Sequence, residues 1–158
     1  MRAIICSTLP TSSVDRAGCA LPTGEALLSA IRGHHVGSHP LARVACELGQ
    51  LHHPGIENST RAKRHLRDVL ARQADQWVAE HAPPPHPAAT LHTESIGAVI
   101  DRIAGQQVRA YHLLMTTKPS DPIVHEEWYR LAQLIDDYTD LAAAVTHRAR
   151  RLPSTPIS

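Results

Sequence analysis

Proline and glycine breaks divide this chain into stretches that can each form one helix. Within each stretch apolar residues recur every three or four positions, and strand-type alternation never extends beyond a few residues. The proline-rich segment 83–87 cannot continue a helix and must be an extended connection. The pattern predicts four long helices that begin near Pro40, Thr60, Thr93 and Pro122, preceded by a short helix over 25–32. The last helix is expected to run to about Arg151.

These helices predict an all-α fold, an antiparallel four-helix bundle with a short extra N-terminal helix. A chain of 158 residues can bury a core as one domain. We assign residues 23–152 to this helical-bundle domain. Residues 1–22 show no helical period and are predicted to form a flexible N-terminal arm, and residues 153–158 are predicted to form a disordered tail.

Charge and apolar content exclude two classes of partner. The 16 Lys and Arg residues nearly balance the 15 Asp and Glu residues, and a net charge of +1 offers no basic surface for nucleic acid. No apolar run approaches the roughly 18 to 20 residues of a membrane span. Three scattered cysteines, with no CxxC pair, indicate a reducing compartment, so we expect a cytoplasmic protein.

The sequence is rich in histidine, with 12 residues. Arginine far outnumbers lysine, and alanine and proline are abundant, which together indicate a GC-rich and actinobacterial-type genome. That codon bias raises the histidine count by itself. A prediction of a functional site must therefore rest on the positions of the histidines and not on their number.

The third long helix has an unusual second face, opposite its apolar stripe. Glu94, Asp101 and His112 share that face with the small residues Gly97 and Gly105. Small residues predict close approach of another helix, and a buried carboxylate needs a partner or a ligand. Two interpretations are open. The first is structural, a salt bridge to an arginine of a neighbouring helix or a cap of a backbone end, and the second is a ligand or catalytic group in a pocket. On the second, Glu94, Asp101 and His112 are the candidate catalytic residues.

One end of the predicted bundle gathers residues that ligate metals. His52, His112 and Glu127 meet there, and two imidazoles with one carboxylate are the donor set of a non-haem iron or zinc centre. The sequence thus predicts a transition-metal site at these three residues, with an axial-histidine haem as the variant. Glu94 lies about 27 Å from His112 along the same helix and cannot share that site.

Residues 91–103 and 109–115 resemble the most recognisable segment of DUF4254, a bacterial family of unknown function. That segment reads roughly S-E-T-x-x-x-x-I-D-R-L, followed by a basic residue and then Y-H-M. The residues that match are Glu94, Asp101, Arg102, Arg109 and His112. Residues 21–32 and 121–152 also resemble actinobacterial members. The resemblance implies an all-α fold and no particular activity.

The chain departs from the family where the first long helix ends. The family typically has L-W-x-x-E-D there, and the corresponding stretch is 48–53. Gly49 replaces the tryptophan, and His52 and His53 replace the two acids. Histidine keeps the capacity to ligate a metal, whereas the acidic pair itself is absent from this chain.

Two functions remain open on the sequence, and whether the protein is an enzyme is not decided by it. The first is a small-molecule enzyme or ligand-binding protein with an interior His/carboxylate site, since a four-helix interior leaves little room. The second is a non-catalytic protein–protein interaction module or accessory protein. It would act through an exposed helix face, such as the basic strip 61–67, or through a homodimer surface.

Overall fold

The computed structural model describes residues 20–55 and 60–154. Within them are the helices α1 (Gly24–Ile31), α2 (Pro40–His52), α3 (Thr60–His81), α4 (Ile96–Thr116) and α5 (Pro122–Thr146). The two-residue strands β1 (Thr90–Leu91) and β2 (Arg150–Arg151) pair in parallel. The all-α prediction is confirmed for this part of the chain. Most of the predicted arm (1–19) and most of the predicted tail (155–158) lie outside the described residues.

Side-chain caps fix four of the helix starts, and at α2 the cap is His39, whose Nδ1 accepts from the Leu41 amide at 3.1 Å. Thr23 Oγ1 accepts from the Ala26 amide at 3.1 Å, and Ser95 Oγ accepts from the Ala98 amide at 3.2 Å. Asp121 likewise accepts from the amide of the residue after Pro122 at 3.0 Å. Proline in the first turn suits α2 and α5, as the sequence predicts. Asn58 and Ser59, which precede α3 in the sequence, are of the residue types that cap helices, and both lie outside the described part of the chain.

Two helix ends differ from the prediction. Helix α4 begins at Ile96, so Glu94 lies before the helix rather than in its first turn. The reason is the Ser95 cap, which sets the start. Helix α5 ends at Thr146 rather than near Arg151, because Arg148 takes a left-handed conformation with φ 63°. Residues 150–151 then pair with β1, a long-range contact that local periodicity cannot reveal.

Helix α4 is the centre of the fold. It packs against α1, α2, α3 and α5. Its apolar stripe is completely buried at Ile96, Ile100 and Ile103. The second face is packed at Gly97 and Ala104 but exposed at His112, so the expectation that α4 is covered on two sides holds only in part.

The glycines on the second face of α4 explain the close packing. A Cβ added to Gly97 would lie 2.6 Å from the carbonyl carbon and 2.7 Å from the Cα of Ala71 in α3, so only glycine fits. The Gly97 amide donates to Asp75 Oδ1 at 2.7 Å. Desolvation raises the pKa of Asp75, although this bond and one with Ser95 oppose the rise. A Cβ on Gly105 would lie 2.9 Å from Cε1 of His52.

None of the helices within residues 20–55 and 60–154 is long and apolar enough to cross a membrane.

Candidate functional site

The carboxylate of Asp101 joins three helices. It lies in α4 and accepts a hydrogen bond on Oδ1 from Nε2 of His52, the last residue of α2, at 2.8 Å. Arg67 in α3 donates to both carboxylate oxygens, from Nε to Oδ1 at 2.9 Å and from Nη2 to Oδ2 at 2.6 Å. Such a two-point arginine–carboxylate pair is strong and directional. We call these three residues the His52–Asp101–Arg67 triad.

The triad is partly shielded from water. The side chains of His52 and Asp101 are 18% and 19% exposed, and that of Arg67 is 34% exposed. Desolvation alone would raise the pKa of Asp101, but the hydrogen bonds and charges of His52 and Arg67 outweigh it and bring the pKa to about 2. The bond to Asp101 in turn raises the pKa of Arg67. Asp101 is therefore a carboxylate, and Arg67 a cation, at neutral pH.

The ionised state of Asp101 decides which ring nitrogen of His52 carries the proton. A carboxylate only accepts, so Nε2 must be the donor, and the lone pair of the neutral ring then lies on Nδ1. Within the described residues Nδ1 has no hydrogen-bond partner. In the same part of the chain every fully buried side-chain nitrogen or oxygen has a partner, so Nδ1 has to reach solvent.

Two neighbouring residues complete the surroundings of the ring. Gly105 leaves room for it, because a Cβ there would lie 3.2 Å from Nδ1 and 3.4 Å from Nε2. Lys63 in α3 donates from Nζ to the main-chain oxygen of His53 at 3.3 Å, which puts a second cation beside the end of α2. The chemistry available here is that of an oriented imidazole with a free nitrogen, beside two cations.

Of the three candidate catalytic residues, only Asp101 belongs to the triad. Glu94 is half-buried and accepts from Arg102 Nη2 at 2.7 Å. His112 is exposed, near the other end of α4. Asp101 thus has the arginine partner on a neighbouring helix that the first sequence interpretation expected, whereas the partner of Glu94 lies in α4 itself.

Glu127 is buried in a separate group of side chains between α4 and α5. It is 2% exposed and accepts from Gln106 Nε2 at 2.6 Å. Arg109 Nε lies 3.2 Å from the same oxygen, and Arg130 Nη1 lies 3.3 Å from the other. The bond from Gln106, and then the charges of both arginines, lower the pKa of Glu127 against the effect of burial. Four polar groups satisfy one another here.

The three predicted metal ligands have different surroundings. His52 is bound to Asp101, Glu127 to Gln106 and two arginines, and His112 is exposed. Across residues 20–55 and 60–154, no three His, Cys, Asp or Glu side chains are grouped so that they could hold a metal ion. The metal centre stays a prediction from the sequence.

The sequence interpretation missed Arg67 as a site residue, because it lies in the basic strip 61–67 that was taken for a solvated face. Arg67, Ala71 and Asp75 are four residues apart on α3, and each contacts α4, at Asp101 or Gly97. This spacing puts all three on one side of a helix. The four-residue spacing of an arginine, a small residue and an aspartate on α3 was the signal in the sequence that could have identified Arg67.

A family model described as "Protein of unknown function (DUF4254)" matches residues 60–150, more than half of the chain. The chain belongs to the DUF4254 family. The resemblance of residues 91–103 and 109–115 to this family is thereby confirmed. The DUF4254 match contains Arg67 and Asp101 of the triad, whereas His52 precedes it. No curated protein and no solved structure matches the chain.

Proposed function

We propose that this protein is a small-molecule enzyme or ligand-binding protein that works through the imidazole of His52. The observation that carries the proposal is the bond from Nε2 to Asp101, which leaves Nδ1 with its lone pair toward solvent. A base whose second nitrogen is held by a carboxylate recurs in enzymes that use histidine for proton transfer or nucleophilic attack.

Each member of the triad has a distinct role in this proposal. His52 touches the small molecule, and Asp101 is a positioning residue that fixes the tautomer and orientation of the ring. Arg67 holds Asp101 at both oxygens and balances its charge. Glu94 and His112 remain candidates from the sequence, and this proposal assigns them no step.

Carbethoxylation by diethyl pyrocarbonate tests the proposal at the level of single histidines. The reagent is a small neutral electrophile that attacks an unprotonated ring nitrogen. We expect His52 to react at Nδ1 at least as fast as the exposed neighbour His53, as measured by peptide mass spectrometry over time. The substitution Asp101→Asn should slow the reaction at His52 and leave the rate at His53 unchanged.

A second measurement uses only the wild-type chain and so does not depend on whether the variant folds. Nitrogen-15 spectra of the histidine rings in the wild-type chain should report that the neutral ring of His52 carries its proton on Nε2 and not on Nδ1. If His52 has the opposite tautomer, or reacts much more slowly than His53 in the folded wild type, the proposal is wrong.

The metal centre at His52, His112 and Glu127 is a separate proposal. It requires Glu127 to exchange Gln106 and its arginine partners for a metal ion. Elemental analysis and an absorption spectrum of natively purified, untagged protein test it. Stoichiometric iron or zinc, or a haem band, supports this centre, and metal-free, colourless protein contradicts it.

Exposed apolar side chains at the end of α4 favour a second candidate function, a protein–protein interaction module. Tyr111 is 48% exposed and Met115 is 65% exposed, one helical turn apart on the same strip. A second copy of the chain is the partner to test first, by light scattering over a range of concentrations. A dimer that Met115→Glu dissociates supports this candidate, and a monomer at all concentrations excludes the homodimer.

We also propose that the helices form an antiparallel four-helix bundle and that the protein is cytoplasmic. Arg67 contacts Asp101, and Ala71, one turn later in α3, contacts Gly97, one turn earlier in α4. This order means that α3 and α4 run in opposite directions, which supports the antiparallel four-helix arrangement. The scattered cysteines support a cytoplasmic location.

A further inference from the structure

We propose that His52 accepts a phosphoryl group on Nδ1 from a donor with a labile P–N bond or an acyl-phosphate bond. The inference rests on the proposed function, because it uses the same nitrogen, and it names the class of substrate. The His52–Asp101–Arg67 triad and Lys63 carry it.

The hydrogen bonds of the triad leave one ring nitrogen ready for attack. Nε2 is occupied as a donor to Asp101 at 2.8 Å, so a group that adds to His52 has to bond to Nδ1. Addition at Nδ1 makes the ring cationic. The carboxylate of Asp101 already faces Nε2–H and stabilises that charge without any movement.

The charges around the ring favour a phosphoryl group over an acyl group. Arg67 uses Nε and Nη2 for Asp101, and its Nη1 has no partner within the described residues. Lys63 lies at the main-chain oxygen of the adjacent His53. The net charge of this group, two cations against one carboxylate, favours an anionic donor, whereas acyl transfer calls for a hole of hydrogen-bond donors around one oxyanion.

Access to the ring also favours a reactive donor over an enclosed nucleotide. Two clefts on the described surface lie elsewhere, between α4 and α5, and both are lined by Arg102 and Asp137. Nδ1 of His52 opens to solvent and not into either cleft. A small donor can reach such a nitrogen.

The step balances without an oxidant or a metal. The Nδ1 lone pair attacks phosphorus, and the bond from phosphorus to the leaving group breaks. With phosphoramidate the leaving group departs as ammonia, which takes the electron pair of the broken P–N bond and carries a proton from the donor's own ammonium form. The Nε2 proton stays on the ring, bound to Asp101.

Phosphoramidate is the probe for the experiment, applied to the full chain at neutral pH. We expect the mass of one phosphoryl group to be gained, acid-labile and mapped to His52, with a phosphorus-31 signal typical of phosphohistidine. His52→Gln should abolish the modification, and the matched control His53→Gln should retain it. Circular dichroism checks that each variant is folded.

Lys63→Gln separates a charge effect from simple access to the ring. Because diethyl pyrocarbonate is neutral and phosphoramidate is anionic, loss of this cation should slow phosphorylation on the order of tenfold and leave carbethoxylation unchanged. Equal effects on both reactions overturn the assigned role of the charge. This variant keeps the triad intact, so it provides a test even if Asp101→Asn does not fold.

The two electrophiles together distinguish the failure of this inference from the failure of the proposed function. If His52 is carbethoxylated but phosphoramidate modifies other histidines or none, the phosphoryl inference is wrong and the proposed function stands. If neither reagent reacts at His52, both are wrong.

Discussion

The charge of Asp101 should hold α2, α3 and α4 together in a pH-dependent way. The pKa of this carboxyl falls from 3.8 to about 2 on folding. A depressed pKa stabilises the folded state above the unfolded value, and that contribution is lost as pH falls toward the folded value. At about 1.4 kcal/mol per pKa unit the shift corresponds to roughly 2.4 kcal/mol. Partial exposure of the pair reduces this to about 1 to 2 kcal/mol.

The substitution Asp101→Asn removes that charge and keeps the shape of the side chain. An amide has one acceptor oxygen, so at least one of the bonds from His52 and Arg67 is lost as well, at about 1 kcal/mol. We expect the variant to lose about 2 to 3 kcal/mol of unfolding free energy at pH 7. At pH 3 about half of the charge contribution of the wild type has gone, so the difference between the two proteins should shrink by roughly 0.5 to 1 kcal/mol.

Urea unfolding at pH 7, 5 and 3, followed by circular dichroism, measures this difference. The difference between the proteins isolates Asp101 from the other carboxyls that titrate in the same range. Glu94→Gln is the matched control, because its ion pair with Arg102 is half-exposed and worth at most about 1 kcal/mol. A wild-type-to-variant difference that is the same at pH 7 and pH 3 would refute the electrostatic account of the triad.

Three further substitutions test the packing and the other buried carboxylates, all by urea unfolding. Gly97→Ala should cost about 1 to 3 kcal/mol because the backbone of α3 cannot move aside. In the control Gly55→Ala no atom of the described residues lies within 4 Å of the added Cβ, so this variant should change little; equal effects contradict the close approach. Glu127→Gln should cost about 1 to 2 kcal/mol, and exposed Glu126→Gln less than about 0.5 kcal/mol. The pKa of Asp75 is raised in the folded state, so the stabilising contribution of this group is lost as pH rises through the folded pKa. Asp75→Asn keeps an acceptor for the Gly97 amide, so the free energy of unfolding at pH 7 should change by less than about 0.5 kcal/mol. A loss above about 1 kcal/mol shows that the charge itself matters.

Local signals were sufficient where a helix boundary depends on neighbouring residues. Pro40 and Pro122 occupy first turns, and Thr23 caps the short α1, as their positions in the sequence predict. The end of α5 was not predictable in this way. It depends on the left-handed Arg148 and on pairing with β1, which comes from a distant part of the chain.

The candidate site was only partly readable from the sequence. The small residues on the second face of α4 predicted close contact with other helices, and Asp101 stood out as a carboxylate on that face. Helical spacing gives the direction in which a side chain leaves the axis of its own helix. It does not give the rotation of the neighbouring helix about that helix's axis. Arg67 could therefore be assigned to solvent, although it binds Asp101 at both oxygens.

The sequence by itself determined that the chain is helical, where most helices begin, and that α4 carries charge on a packed face, because these properties depend on neighbours within a few turns. Only the tertiary structure decided how the charges are partnered. In the folded protein His52 and Arg67 bind Asp101, and Glu127 binds Gln106 and two arginines. These choices depend on how far helices from distant parts of the chain slide and rotate against one another, which core packing across the whole fold decides.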